Sequence, residues 1–181
     1  MLKLTMPGAV MTAVVVFSTH THAAENGTVS FSGQLTGSTC DATVEGQGPD
    51  ATIVLPTETA DEVNTKGEAG ETPFTITLSN CQGSYGTARA YFEGGSSVST
   101  DYTLLNTGGT AVGVHLILRT AADTIIKPGI DASIQDGQFY DISSGSATMN
   151  YSISYISNAN TGGPATGGTV KSSVIYSIEY K

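Results

Sequence analysis

The sequence predicts an all-β sandwich built as one domain. Three features carry that expectation. Apolar residues recur at every second position in short stretches, Gly, Asn and Ser turns break those stretches at close intervals, and no stretch repeats apolar residues at a convincing helical spacing. Nothing in the 181 residues repeats internally, and that length fits a single domain.

The two ends stand out. Val170, Ser172, Val174, Tyr176, Ile178 and Tyr180 share one phase of the last stretch, while Lys171, Ser173, Ile175, Ser177, Glu179 and Lys181 occupy the other. Side chains two apart lie on one face of a strand, so this stretch reads as an amphipathic strand. Near the start, Val29, Phe31, Gly33 and Leu35 alternate with Ser30, Ser32 and Gln34. Gly33 sits on the apolar face, where glycine weakens a strand unless something must approach closely. Such strands either pair with each other as parts of a complete sandwich or need partners from another chain. The second reading is preferred.

Between the ends the elements follow in order. A short strand is expected at 40–44, a turn at 46–50 and a further strand at 52–55, stopped by Pro56. Residues 57–72 are polar and acidic, a surface loop with a short helical turn after Thr59. Phe74, Ile76 and Leu78 mark one face of a strand at 73–78 that runs into Cys81. Ala88, Ala90 and Phe92 mark another at 87–93, residues 102–105 a short one, and Val112, Val114, Leu116 and Leu118 a longer one. Lys127, Pro128 and Gly129 signal a turn. Tyr151, Ile153 and Tyr155 alternate within 149–156, and a Gly- and Asn-rich loop spans 157–168 before the final strand.

Composition narrows the function classes. Residues 1–24 carry Lys3, an apolar run of about ten residues and a small-residue boundary at Ala23 and Ala24, the layout of a secretory signal peptide. The run is too short to span a bilayer, which needs about 20 residues. Removing it from the 181 leaves about 157 residues, and losing Lys3 takes the formal charge from −9 to about −10. An acidic surface argues against nucleic acid and anionic lipid as partners. In an exported chain the two cysteines, Cys40 and Cys81, are expected to form a disulfide.

No catalytic or metal constellation is legible. His115 is the one histidine beyond the leader and lies mid-strand, with no spacing that places a nucleophile and a carboxylate beside it. Asp131, Asp136 and Asp141 recur every five residues, which is not the alternation of a calcium loop. No His, Cys, Asp and Glu set has metal-ligand spacing, and no cofactor is expected. Glycosylation patterns at Asn26 and Asn150 are weak signals.

The motifs taken together resemble chaperone-usher pilins of the type 1 fimbrial family. Val29-Ser30-Phe31-Ser32-Gly33-Gln34-Leu35, with Cys40 seven residues after Gly33, resembles the family's N-terminal extension. Residues 73–81 resemble the strand leading to its second cysteine, 112–120 its Val-Gly-Val strand, and 174–181, with Tyr180 penultimate, its C-terminal motif. The resemblance implies an incomplete immunoglobulin-like sandwich completed by a donor strand from another chain, with the signal peptide at 1–24, the extension at 25–36 and the pilin domain at 37–181. It implies that Val29, Phe31, Gly33 and Leu35 form the donor face. It implies that Val174, Tyr176, Ile178, Tyr180 and Lys181 form the groove edge that a periplasmic chaperone holds. The expected function is a non-enzymatic structural subunit of a cell-surface fimbrium of a Gram-negative bacterium, polymerised by donor-strand exchange and supporting adhesion. Its expected partners are neighbouring pilins, the chaperone, an outer-membrane usher and a host surface met through the fibre. The alternatives are a fimbrial adhesin or minor adaptor and, further off, a secreted enzyme or self-complete sandwich.

Overall fold

A computed structural model describes residues 39–135, 137–158 and 162–181. The signal-peptide and extension assignments at 1–36, with Val29, Phe31, Gly33 and Leu35, lie outside the described residues, as does Asp136.

The described chain is all-β apart from one helix, and it is an immunoglobulin-like sandwich of two antiparallel sheets. Its strands are β1 (Thr39–Val44), β2 (Glu68–Gln82), β3 (Thr87–Phe92), β4 (Leu104–Leu105), β5 (Val114–Thr120), β6 (Ile125–Ile126), β7 (Tyr140–Asp141), β8 (Ala147–Ser157) and β9 (Tyr176–Tyr180). One sheet runs β1-β2-β8-β5-β4, with β6 also on β5, and the other runs β7-β3-β9. The alternation read from the sequence sets the faces. Phe74, Ile76 and Leu78 of β2, Met149 and Tyr151 of β8, and Leu116 and Leu118 of β5 are buried against Ala88, Ala90 and Phe92 of β3. Phe92 meets the Tyr151 ring edge-on at 5.2 Å between centroids, a favoured aromatic geometry that locks the two sheets together.

Proline in a central strand is ordinarily disruptive, yet Pro73 lies within β2. Glu45 N–H donates to the Thr75 carbonyl, so the odd residues of β2 turn their backbone groups towards β1. The β1 ladder ends at Val44 opposite Ile76. The N–H that Pro73 lacks would therefore face a side where β1 has already ended. Cys40 and Cys81 form the disulfide, Cα atoms 4.1 Å apart, tying β1 to the end of β2.

Four expectations are corrected. Residues 57–72 are not all loop: the helical turn expected after Thr59 is a seven-residue helix, α1 (Ala60–Lys66), and Glu68 to Thr72 already belong to β2. Thr59 Oγ1 caps it by accepting from Glu62 N–H at 3.1 Å. Val63 buries its one apolar side against Ala111, Val114 and Ala165. A helix this short has a single core-facing residue, too few to show a period in sequence. Residues 52–55 form no strand, because no neighbour supplies a ladder. β5 begins at Val114 and not at Val112, which is 60% exposed. Gly113, at φ +67, turns the chain there, and a Cβ on it would meet the Pro164 carbonyl oxygen at 2.4 Å. The last ladder begins at Tyr176 and not at Val170. The two-residue strands β6 and β7 are too short to alternate, so no pattern marked them.

Closing a loop of 41 residues should contribute about 4 kcal/mol through the unfolded state. The double variant Cys40→Ser, Cys81→Ser is expected to lose about that much, read from urea unfolding midpoints of oxidised wild type and variant. Equal midpoints would deny the bridge a stabilising role.

Candidate functional site

An apolar groove with a volume of about 820 Å³ opens between the two sheets. Its floor is Val44 of β1, Phe74 and Ile76 of β2, Leu116 and Leu118 of β5, Leu104 of β4 and Phe92 of β3. Those side chains are 1–7% exposed in the open groove because they pack on one another across the sandwich. One wall is the run 170–178 and the other is the segment 49–55.

The first wall is built by strand phase. Thr87 and Lys181 exchange both backbone hydrogen bonds, at 3.0 and 2.9 Å, and Glu93 N–H donates to the Ile175 carbonyl at 2.8 Å. In an antiparallel pair such bonded positions recur every second residue. The register pairs Ala88 with Tyr180, Ala90 with Ile178 and Phe92 with Tyr176 as the intervening, non-bonded positions. Residues 175, 177, 179 and 181 thus spend their backbone groups on β3. Tyr176, Ile178 and Tyr180 turn theirs to the open side, where β9 is the last strand of its sheet among the described residues. Upstream the pattern continues. Lys171 N–H donates to Asn106 Oδ1 and its carbonyl accepts from Thr107 N–H, while Ser173 carbonyl accepts from Ser97 Oγ. The backbones of Val170, Ser172 and Val174 have no partner among the described residues. The Ser172 hydroxyl is buried in this wall, also unpartnered.

The side chains follow the same phase. Val170, Val174, Tyr176, Ile178 and Tyr180 all pack against the core, yet each is only half-buried. Their neighbours on β3, Ala88, Ala90 and Phe92, are 0–3% exposed. One more layer over the groove would complete their burial. Lys181, also expected at this edge, is exposed, with its ammonium 5.7 Å from the Phe139 ring centre.

The second wall was expected as strand 52–55 but has no ladder. Ile53 and Leu55 point into the core, and Val54 points out, 83% exposed. The only hydrogen bond to the backbone of residues 50–55 among the described residues is a 3.4 Å contact from Gln47 Nε2 to the Thr52 carbonyl. Two tyrosines of β9 reach across. Tyr176 Oη donates to the Pro49 carbonyl at 2.9 Å, and Tyr180 Oη accepts from Cys40 N–H at 3.0 Å. Burial, with the Asp50 carboxylate near, pushes the Tyr176 phenol above its ordinary pKa, which keeps the proton it donates.

β9 is held in place from the outer face. Arg89 of β3 is 8% exposed; its guanidinium pairs with Glu179 at 2.7 Å and donates to the carbonyls of Ala132 and Gln135. Gln135, 4% exposed, bonds both backbone groups of Phe92, accepting at 2.8 Å and donating at 2.9 Å. Alternation placed Arg89 on the polar phase of its strand, and only the covering loop reveals its burial.

His115 has neighbours of a structural kind. Its Nδ1 lies 2.7 Å from Thr103 Oγ1 and its Nε2 3.1 Å from Asn158 Nδ2, and burial lowers its pKa. Asp131 and Asp141 each accept the backbone N–H of the residue two ahead, Ser133 and Ser143, as turn residues do. No group of three or more His, Cys, Asp and Glu able to hold a metal occurs among the described residues.

The groove is an apolar trough with an unpaired strand edge along it among the described residues. Comparisons with known proteins place the chain in a family. The family model described as "Fimbrial protein" matches residues 29–181. The major fimbrial subunit SMF-1 of Stenotrophomonas maltophilia is 35% identical over 165 residues, covering 87% of this chain and 94% of that protein. The F17 fimbrial protein of Escherichia coli is 33% identical over 168 residues, covering 87% and 89%. In fold, the P pilus rod subunit PapA superposes with a TM-score of 0.61 at 16% identity, covering 78% of this chain and 99% of PapA. A chain from the structure of a chaperone-usher pilus gives 0.60 at 20% identity, covering 89% and 99%. The chain belongs to the Fimbrial protein family, and its role is that of a structural pilin.

Glu179→Ala would leave the Arg89 charge with its carbonyl partners and the Phe139 ring, 4.7 Å from the guanidinium carbon. We expect a loss of about 1.5–3 kcal/mol, the range of a charge-assisted bond, read from urea midpoints, with the largest rise in amide exchange along 176–180. An unchanged exchange pattern would mean the pair does not hold β9.

Proposed function

We propose that this chain polymerises by donor-strand exchange, its groove taking the N-terminal extension of a second copy and its own extension filling the next groove. The observation that supports the reading best is the trough between 49–55 and 170–178, with no ladder on the first wall and none on the groove side of the second. Donor-strand complementation of pilins is an established form of β-augmentation, in which main-chain bonds give affinity and alternate side chains fill pockets. The outward backbone groups of Val170, Ser172, Val174, Tyr176, Ile178 and Tyr180 would donate and accept the bonds of such a ladder. Val29, Phe31 and Leu35 would fill the trough, with Gly33 at a point that leaves no room for a side chain.

Magnitude supports the reading. Burying Val29, Phe31 and Leu35 at about 1.5–3 kcal/mol each gives roughly 5–9 kcal/mol before any strand hydrogen bond. That is comparable to the whole stability of a small domain, so one donor strand suffices for a lasting junction. A head-to-tail contact whose rotation does not close generates a fibre. The same exposed edge and trough invite aggregation in water, which gives a periplasmic chaperone its task on Val174, Tyr176, Ile178, Tyr180 and the terminal carboxylate of Lys181. An outer-membrane usher and a cell-surface fimbrium of a Gram-negative bacterium complete the reading, with adhesion exerted through the assembled fibre. The role is structural and not enzymatic.

Deleting residues 25–35 from the exported chain should leave chaperone binding intact and abolish growth from the donor end, measured by chaperone co-purification and by sedimentation of polymers. Normal polymers from the truncated chain would end the donor assignment. Gly33→Leu should slow assembly by clashing in the groove, followed by light scattering. Assembly at the wild-type rate would show that Gly33 does not face the trough.

A further inference from the structure

The segment 49–56 is fastened in an unusual way. It has no backbone ladder among the described residues, yet Ile53 and Leu55 dip into the core beside the groove. Its two ends are each held by a tyrosine hydroxyl on a proline carbonyl. Tyr155 Oη donates to Pro56 at 3.1 Å, and Tyr176 Oη donates to Pro49 at 2.9 Å. The two fastenings differ in position. Tyr155 and Pro56 are outside the groove lining, whereas Tyr176 and Pro49 are both within it. Tyr176 belongs to β9, so its hydroxyl joins one wall directly to the other across the space between them.

We propose that residues 49–56 form a strap latched across the groove by the Tyr176 hydroxyl, and that an incoming strand must break this latch to seat. The inference rests on the donor-strand reading above and names the residue that sets its rate. A strand lying along β9 bonds to the outward backbone groups of Tyr176 and Ile178. To do so it passes between β9 and Pro49, where the Tyr176 phenol now reaches over. Once the latch opens, the strap can swing about its Tyr155 fastening, and the unpaired backbone of residues 50–55 becomes the second side of a ladder on the new strand. Proline at both ends favours this. Pro49 and Pro56 each lack an N–H, so the strap is bounded by residues that cannot donate to a ladder of their own.

The latch exists only in the free groove, and this gives it a kinetic signature. Removing it should raise the association rate and leave the dissociation rate of a seated strand unchanged. A general loosening of the fold would instead raise dissociation. A single hydroxyl-to-carbonyl bond of ordinary net strength corresponds to roughly a two- to tenfold change.

The test uses the purified full chain and a fluorescent synthetic peptide of residues 25–36. Association and dissociation rates are measured for wild type, Tyr176→Phe and Tyr91→Phe. Tyr91 offers a matched control, since its hydroxyl donates to the Ile130 carbonyl at 3.0 Å and it is not in the groove lining. Tyr176→Phe is expected to take up peptide roughly two- to tenfold faster with an unchanged dissociation rate, and Tyr91→Phe at the wild-type rate. Amides 50–55 are expected to gain hydrogen-exchange protection when the peptide seats. A wild-type association rate in Tyr176→Phe, or amides 50–55 left unprotected by bound peptide, overturns the strap while leaving the donor reading standing. Failure of the unsubstituted chain to bind the peptide overturns the donor reading, and the strap falls with it.

Discussion

A strand has two sides, and β9 satisfies only one of them. Its residues 175, 177, 179 and 181 pair with β3, so Tyr176, Ile178 and Tyr180 turn their backbone groups outward along the mouth of an apolar trough. Unpaired backbone beside apolar surface is costly in water and templates the addition of another strand. The constraint is geometric and follows from one register. A shift of a single residue would exchange the two sets and turn Val174 and Ile178 to solvent. Everything that fixes β9 on β3 therefore also fixes what the groove offers.

That explains where the fold spends its buried polar groups. Arg89 and Gln135 are among the few polar residues at or below 8% exposure, and both act on the β7-β3-β9 sheet. Arg89 joins Glu179 of β9 to the loop carbonyls of Ala132 and Gln135, while Gln135 satisfies Phe92 where β7 does not extend. A strand short of a neighbour on one side is exposed to fraying. These contacts supply from the outer face some of the restraint that a second neighbouring strand would give. The disulfide does the matching work on the other sheet, holding β1 to β2 at the end where Cys40 also meets Tyr180.

The alternating elements were legible because one side of each meets the core. Phe74, Ile76 and Leu78, or Ala88, Ala90 and Phe92, differ from their neighbours in polarity as directly as in burial. The side-chain phase of the last strand was legible for the same reason, with Val174, Tyr176 and Ile178 against the core. What alternation cannot report is whether a strand has a neighbour. Residues 52–55 alternate as a paired strand would, with Ile53 and Leu55 inward, yet no ladder forms. A helical turn after Thr59 was legible, but the length of α1 was not, because seven residues with one buried valine carry no period. The burial of Arg89 and the reach of Tyr176 to Pro49 depend on contacts 43 and 127 residues apart, which no local pattern encodes.

The half-burial of β9 also bears on why the groove keeps its open form. A groove floored by Phe74, Ile76, Leu116 and Leu118 would collapse if its walls could close, since burying that surface is favourable. Collapse would require β9 to leave the β3 register, and the Arg89–Glu179 pair with the Thr87–Lys181 exchange opposes this. The opposite wall has fewer holds, among the described residues its two end fastenings, the long Gln47–Thr52 contact and two apolar side chains. An incoming strand, as proposed, would meet one wall set in register and another with few fastenings. On the proposed reading, register would follow from β9 and closure from the less fastened segment 49–55.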